Sequence, residues 1–246
     1  KIVGEPIDKL YKNFIKAGFG NYTTPYIEFF ANKMRSRTHA FGIHLKHISN
    51  NSKIKSYADS KRSDNYINAF IKKYNKYNML GADVYFDREV VHYYGFQPDT
   101  MESAPSKDDI KKRYSKIGLD LFLKSTNLKE KKLNYSFGLG YYNLADNYKS
   151  TENNIDFTAA IDKNINIFSD VDDQKLGISA GVNFYNNKVD TLDATNNAII
   201  KFKPFYDISF EEYSFYIGMN ASVNADTSSK MYLYPEVKVG INLVKD

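Results

Sequence analysis

Cysteine and tryptophan are both missing from these 246 residues. Without a thiol there is no disulfide framework, no thiolate nucleophile and no zinc–sulfur site. No stretch approaches the roughly 18 consecutive apolar residues of a transmembrane helix, so a closed barrel of strands is the one way this chain could span a bilayer. A Gly-rich phosphate loop, an H-E-x-x-H pair and a helix–loop–helix calcium loop are all absent, and no cofactor or metal is implied. The acidic cluster Asp170, Asp172 and Asp173 reads as a turn rather than a calcium site. Excess charge is also scarce: 34 Lys and Arg against 29 Asp and Glu leave a net charge of +5. Those lysines are scattered among Asn and Ser, whereas a nucleic-acid partner wants a dense basic face.

What the chain does have is aromatic residues and a period of two. Tyr and Phe number 21 and 17. In Leu133 to Tyr141, Leu133, Tyr135, Phe137, Leu139 and Tyr141 share one face, and Asn134, Ser136, Gly138 and Gly140 the other. Leu176 to Phe184, Phe215 to Val223 and Val237 to Leu243 repeat the pattern. Alternation of this kind marks half-buried strands. A soluble sandwich usually sets Lys, Glu and Thr against its apolar face. Gly and Ser there instead suit a crowded or watery lumen, with the apolar face turned to lipid.

The spacing predicts about twelve strands: 11–20, 24–34, 40–49, 66–74, 79–92, 111–125, 132–144, 152–165, 174–186, 197–210, 213–224 and 231–243. The fold class expected is all-β, an antiparallel up-and-down transmembrane barrel. Residues 1–10 would be a periplasmic lead-in and 11–246 the barrel, completed by further strands in the natural protein. Tight connections near Arg35–Thr38, Asn75–Tyr77, Asn127–Lys131 and Glu211–Glu212 alternate with long polar ones at 50–65, 95–110 and 187–196, the asymmetry of bacterial outer-membrane barrels. The connection near 165–174 is long where a short one is expected. Tyr93, Tyr94, Tyr141, Tyr142, Tyr232 and Tyr234 fall near strand ends, where an aromatic girdle would sit.

The lead-in V-G-E-P with Leu10-Tyr11-Lys12, the run K-A-G-F-G-N-Y-T-T-P over 16–25, and the H-L-K-H-x-S run ending at Ser49 carry a family resemblance. Ser63–Tyr66, His92–Gly95 and Leu233–Pro235 extend it along the chain. Together they resemble a family of Bacteroidetes outer-membrane β-barrels of the TonB-dependent receptor-like type. The resemblance implies location in the cell outer membrane and a barrel architecture. It implies no settled substrate.

Chemistry is expected at one place above others. His47 and Ser49, two apart on a strand, lie on one face as a base–nucleophile pair would. They continue the face of Phe41, Ile43 and Leu45 and so point to lipid near the long-loop end. Here the H-x-S-N run resembles that of outer-membrane phospholipases and lipid A deacylases; the phospholipase adds an orienting Asn on the next strand, a place that Asn65, at the end of the 50–65 connection, could occupy. Against catalysis, His47 and Ser49 are also ordinary residues for a strand leaving a membrane. The inward-facing candidates are Glu28, His44, Lys46, Asp83, Asp87 and Lys238, with Arg88 alongside them. They would line a lumen and set solute preference, or pair across strands. Lys53, Lys55, Lys61 and Arg62 in one long loop could meet lipopolysaccharide phosphates.

The main functional expectation is therefore a porin-like transport or receptor barrel without catalysis. It would contact outer-membrane lipid, lipopolysaccharide, a solute, and outer-membrane or periplasmic protein partners. A lipid hydrolase using His47, Ser49 and Asn65 is the alternative, and a soluble barrel with a binding cavity the third reading.

Overall fold

In a computed structural model, described over residues 11–126, 133–169, 171, 173–226 and 229–241, the alternation resolves into twelve strands. They are β1 (Asn13–Gly20), β2 (Thr24–Lys33), β3 (His39–Asn50), β4 (Arg62–Tyr74), β5 (Asn78–His92), β6 (Lys111–Ser125), β7 (Asn134–Asp146), β8 (Thr151–Asn164), β9 (Asp173–Lys188), β10 (Thr195–Ser209), β11 (Tyr213–Asn224) and β12 (Lys230–Ile241). Each pairs with its sequence neighbours in one sheet of order β1 to β12, the expected all-β, antiparallel up-and-down arrangement. Among the described residues no helix is long and apolar enough to cross a membrane. The lead-in over 1–10, the tight turn at Asn127–Lys131, Leu243, and Asp170 and Asp172 of the acidic cluster lie outside the described residues.

The largest departure from the expected bounds is at β4, which begins at Arg62 rather than at 66. Four further polar residues, Arg62 to Asn65, belong to the strand although their composition reads as loop. That shift places Asn65 on a strand.

By its contacts the chain falls into two units. The first comprises 11–71 and 85–115. Its β1–β2 ladder runs from Asn13 opposite Ala31 to Gly20 opposite Thr24, and its β2–β3 ladder sets Ile27 opposite His47 and Glu28 opposite Lys46. Ile27, Phe41 and Ile67 stay 48%, 46% and 45% exposed, so the apolar face of these strands is not a buried core. The buried apolar side chains of this unit are small or at strand ends: Ala40, Ala58, Val90 and Ile110.

Two of those four pin the long connections together. The Ala58 N–H donates to the Phe96 carbonyl at 3.1 Å, and the Tyr93 N–H to that of Ile110 at 2.8 Å. Asp59 is gripped by Lys61 at 3.3 Å and Lys107 at 3.9 Å. The Lys61 ammonium, with help from Lys107 and Lys53, holds the Asp59 carboxyl below its ordinary range. A reciprocal pair of bonds between Ser106 and Asp109 closes the second connection just before β6.

The second unit comprises 72–84 and 116–241. Its ladders run unbroken from β7 to β9, where Leu139 faces Phe157 and Phe157 faces Val182. The apolar face is again open, with Leu176 52% and Ile217 55% exposed. On the opposite face, glycines admit aromatic rings from the next strand. A Cβ on Gly81 would run into the Phe122 ring, and one on Gly177 into that of Phe205. The Gly-rich face is thus packed by aromatic rings at these points rather than left to water. The long connection after β8 is held by Gln174, which accepts from the N–H groups of Ile167 and Phe168 and donates to the Phe168 carbonyl.

Candidate functional site

Strand β3 carries the two histidines that matter, three residues apart and hence on opposite faces. On its apolar face the side chains of His47 and Ser49 follow exposed Phe41 and Ile43. His47 Nδ1 lies 2.7 Å from Asn65 Oδ1, and its Nε2 lies 3.2 Å from Ser49 Oγ. The amide nitrogen of Asn65 points to Ser63 Oγ at 3.2 Å and to the Arg88 carbonyl at 3.5 Å. A carbonyl can only accept, so the Asn65 NH2 group faces Arg88 and its Oδ1 faces His47. That orientation requires a proton on His47 Nδ1, leaving Nε2 to accept from the Ser49 hydroxyl. Ser49, His47 and Asn65 thus form one hydrogen-bonded line from hydroxyl to imidazole to amide oxygen, the order in which a nucleophile, a base and an orienting acceptor stand in a serine hydrolase.

This arrangement corrects the expectation of a barrel without catalysis. A strand that merely left a membrane would need neither the third residue nor the tautomer it imposes. Asn65 is brought to His47 by the early start of β4.

The opposite face of the same strands holds a second group. His44 Nε2 lies 2.9 Å from Glu28 Oε1, and the Tyr26 hydroxyl donates to Glu28 Oε2 at 2.6 Å. The His44 ring meets Phe30 and Tyr66 edge-on at 5.9 and 5.4 Å. Beside it a cavity of about 440 Å³ is lined by His44, Lys46, Asp64, Tyr66, Asp87 and Glu89. Glu28, His44, Lys46 and Asp87 therefore share one face, on which Arg62 bridges Asp64 and Glu89 at 3.1 Å each.

Two of the inward-facing candidates belong to the second unit. Asp83 lies close enough to Asp120 to act on it electrostatically. Lys238 binds Glu236 Oε1 at 2.7 Å, while Lys203 takes Oε2 at 2.6 Å and Asn220 donates to the same oxygen at 3.3 Å. Glu236 and Lys203 are partners that alternation within single strands does not reveal. Register does, by setting Gly218 of β11 opposite Glu236.

Arg88 departs from its expected place. Glu89 bonds Arg62 on the cavity face, so Arg88, its neighbour on the strand, leaves the sheet on the opposite side. The loop cations differ as well. Lys61 is spent on Asp59, and Arg62 stands in β4 with two carboxylates.

No protein-family model matches the chain, and no curated protein matches it. Among solved structures it is similar to LpxR from Salmonella typhimurium, with 10% identity over 87% of each chain and a TM-score of 0.30. A likeness at that level assigns no role to any residue of this chain.

Proposed function

We propose that this chain is an outer-membrane serine hydrolase that cleaves acyl esters of membrane lipids, with Ser49 as nucleophile, His47 as base and Asn65 as the residue that orients His47. The observation that carries this reading is where the hydrogen-bonded line stands: on the exposed apolar face, among Ile27, Phe41, Ile43 and Ile67. A nucleophile so placed meets whatever bathes that face. Strands of 10 to 15 residues in β2 to β5 match or exceed the roughly nine to eleven needed to cross a hydrocarbon layer. Apolar side chains on their outer face are stable against lipid and costly against water. The family resemblance of the N-terminal motifs supports the same setting.

The chemistry is ordinary acyl transfer. Ser49 Oγ attacks the ester carbonyl carbon as its proton passes to His47 Nε2. The tetrahedral intermediate collapses, and the protonated His47 returns that proton to the departing alcohol, leaving an acyl group on Ser49. Water, deprotonated by His47, then releases the fatty acid and restores the serine. Asn65 keeps Nδ1 protonated and the ring in line throughout. Ser49 and His47 stand near the β3 end that leads into the 51–61 connection, so the ester groups of the adjoining leaflet, lipopolysaccharide among them, are the substrate pool.

The test is hydrolysis of lipid in mixed micelles by the refolded chain and by Ser49→Ala, both checked for heat-modifiable gel migration. Fatty-acid release by the parent and its loss in the folded variant are expected. Equal release by both would remove Ser49 from the reaction, and none by either would remove the activity.

A further inference from the structure

Arg88 is the residue of β5 that the Asn65 side chain touches, through its carbonyl at 3.5 Å. Its side chain shares a parity with Leu80 and Val84, which are 51% and 47% exposed on the apolar face. Glu89 fixes the assignment by reaching Arg62 on the other side of the sheet. The Arg88 guanidinium therefore projects on the face of Ser49, His47 and Asn65, two strands from Ser49. That is about 10 Å at ordinary strand spacing, before the long side chain extends.

Its electrostatics are unusual for the neighbourhood. Arg88 is half-buried, and among the described residues its guanidinium makes no hydrogen bond and no ion pair. Arg62 has Asp64 and Glu89, and Lys61 has Asp59. A permanently charged group beside hydrocarbon is costly unless an anion or headgroup water meets it. A phosphate satisfies that requirement best, since the planar guanidinium can bind two of its oxygens at once.

We infer that Arg88 binds the phosphate of the lipid whose acyl ester lies at Ser49, which makes the substrate class acyl lipids with an anionic headgroup. The inference rests on the hydrolase reading of Ser49 and adds to it a specificity-determining residue. Arg88 takes no part in the acyl transfer. It sets which lipid stands with its ester against the serine.

The experiment uses the full chain in the Ser49→Ala background, so that lipid is bound but not consumed. Detergent-solubilised protein is incubated with phosphatidylglycerol, lipid A, or zwitterionic phosphatidylcholine, and retained lipid is counted. Retention of the first two should exceed that of phosphatidylcholine by about tenfold or more, the scale of a charge-assisted pair. Adding Arg88→Gln should collapse that ratio towards one, and Arg88→Lys should keep part of it. If phosphatidylglycerol and lipid A differ, the better retained identifies the headgroup. An unchanged ratio in folded Ser49→Ala/Arg88→Gln overturns the inference and leaves the hydrolase reading standing, as does a parent without preference. Anion preference that depends on Arg88, in a chain whose Ser49 releases no fatty acid, overturns the hydrolase reading and with it the substrate role given to Arg88.

Discussion

Two histidines of one strand, His44 and His47, stand on opposite faces of β3, and each has one ring nitrogen held by an oxygen acceptor on the neighbouring strand. What separates them is which nitrogen is held. Glu28 takes the far nitrogen of His44, Nε2, so the end of that ring that could reach a nucleophile is already occupied. Asn65 takes the near nitrogen of His47, Nδ1, and leaves Nε2 free to face Ser49. The partner's charge differs as well. Glu28 is itself committed to the Tyr26 hydroxyl, which makes that group a closed set of bonds, whereas the His47 line ends at a hydroxyl that can react. Under the proposed function, β3 carries a structural histidine and a chemical one three residues apart, and the tethered nitrogen separates them.

The comparison breaks most readily at the nucleophile. Ser49→Ala and His47→Ala should each lower fatty-acid release by about 10³-fold or more, because the two act as a unit. Glu28→Gln should leave turnover near the parent's, and a Glu28→Gln rate as low as that of His47→Ala would show that the two faces are coupled. Asn65→Ala should cost less, about ten- to hundredfold in kcat with little change in KM, since it frees the ring to rotate without removing it. An unchanged kcat would reduce Asn65 to a packing residue.

Smaller effects sharpen the picture on the other side. Glu28→Gln cannot accept from both Tyr26 and His44 with its amide nitrogen, so the midpoint of the heat-induced gel shift should fall. A midpoint equal to the parent's would mean that the bonds seen here add nothing to stability. Lys46→Ser in the Ser49→Ala background places a serine two residues from His44, copying the spacing of His47 and Ser49. No lipid hydrolysis should return, because Glu28 occupies Nε2 and the face is polar. Recovered fatty-acid release would show that spacing alone makes the site.

Much of the architecture was legible because strand alternation is a local property. All twelve expected strands correspond to observed ones, and the errors sit where composition and pairing disagree. Ser63, Asp64 and Asn65 look like loop, yet their parity continues the β4 ladder, and only the partner strand decides between the two. The pairing of His47 with Ser49 could be read from residues two apart on one strand. Asn65 falls in the 50–65 connection as the sequence reads, and both its place on β4 and its hydrogen bond to His47 depend on pairing between strands.

Arg88 shows where local reading fails. Asp87, Arg88 and Glu89 are consecutive charges, so the alternation of polar and apolar residues that assigns faces is interrupted there. The Glu89 bond to Arg62 settles the side each residue takes. Glu236 was hidden in part: Lys238 stands two residues along the same strand, but Lys203 reaches it from β10, on the far side of β11.

The sequence by itself determined the period of two, the number of strands, the open apolar face and the presence of a base and a hydroxyl on it, since each follows from the order of side chains along one extended chain. Tertiary structure decided which nitrogen of each histidine is tied and whether Asn65 belongs to a strand. It also turned Arg88 to the face of the serine and joined Glu236 to its lysines. Those outcomes depend on register between paired strands, where a shift of one residue would send every side chain to the other face.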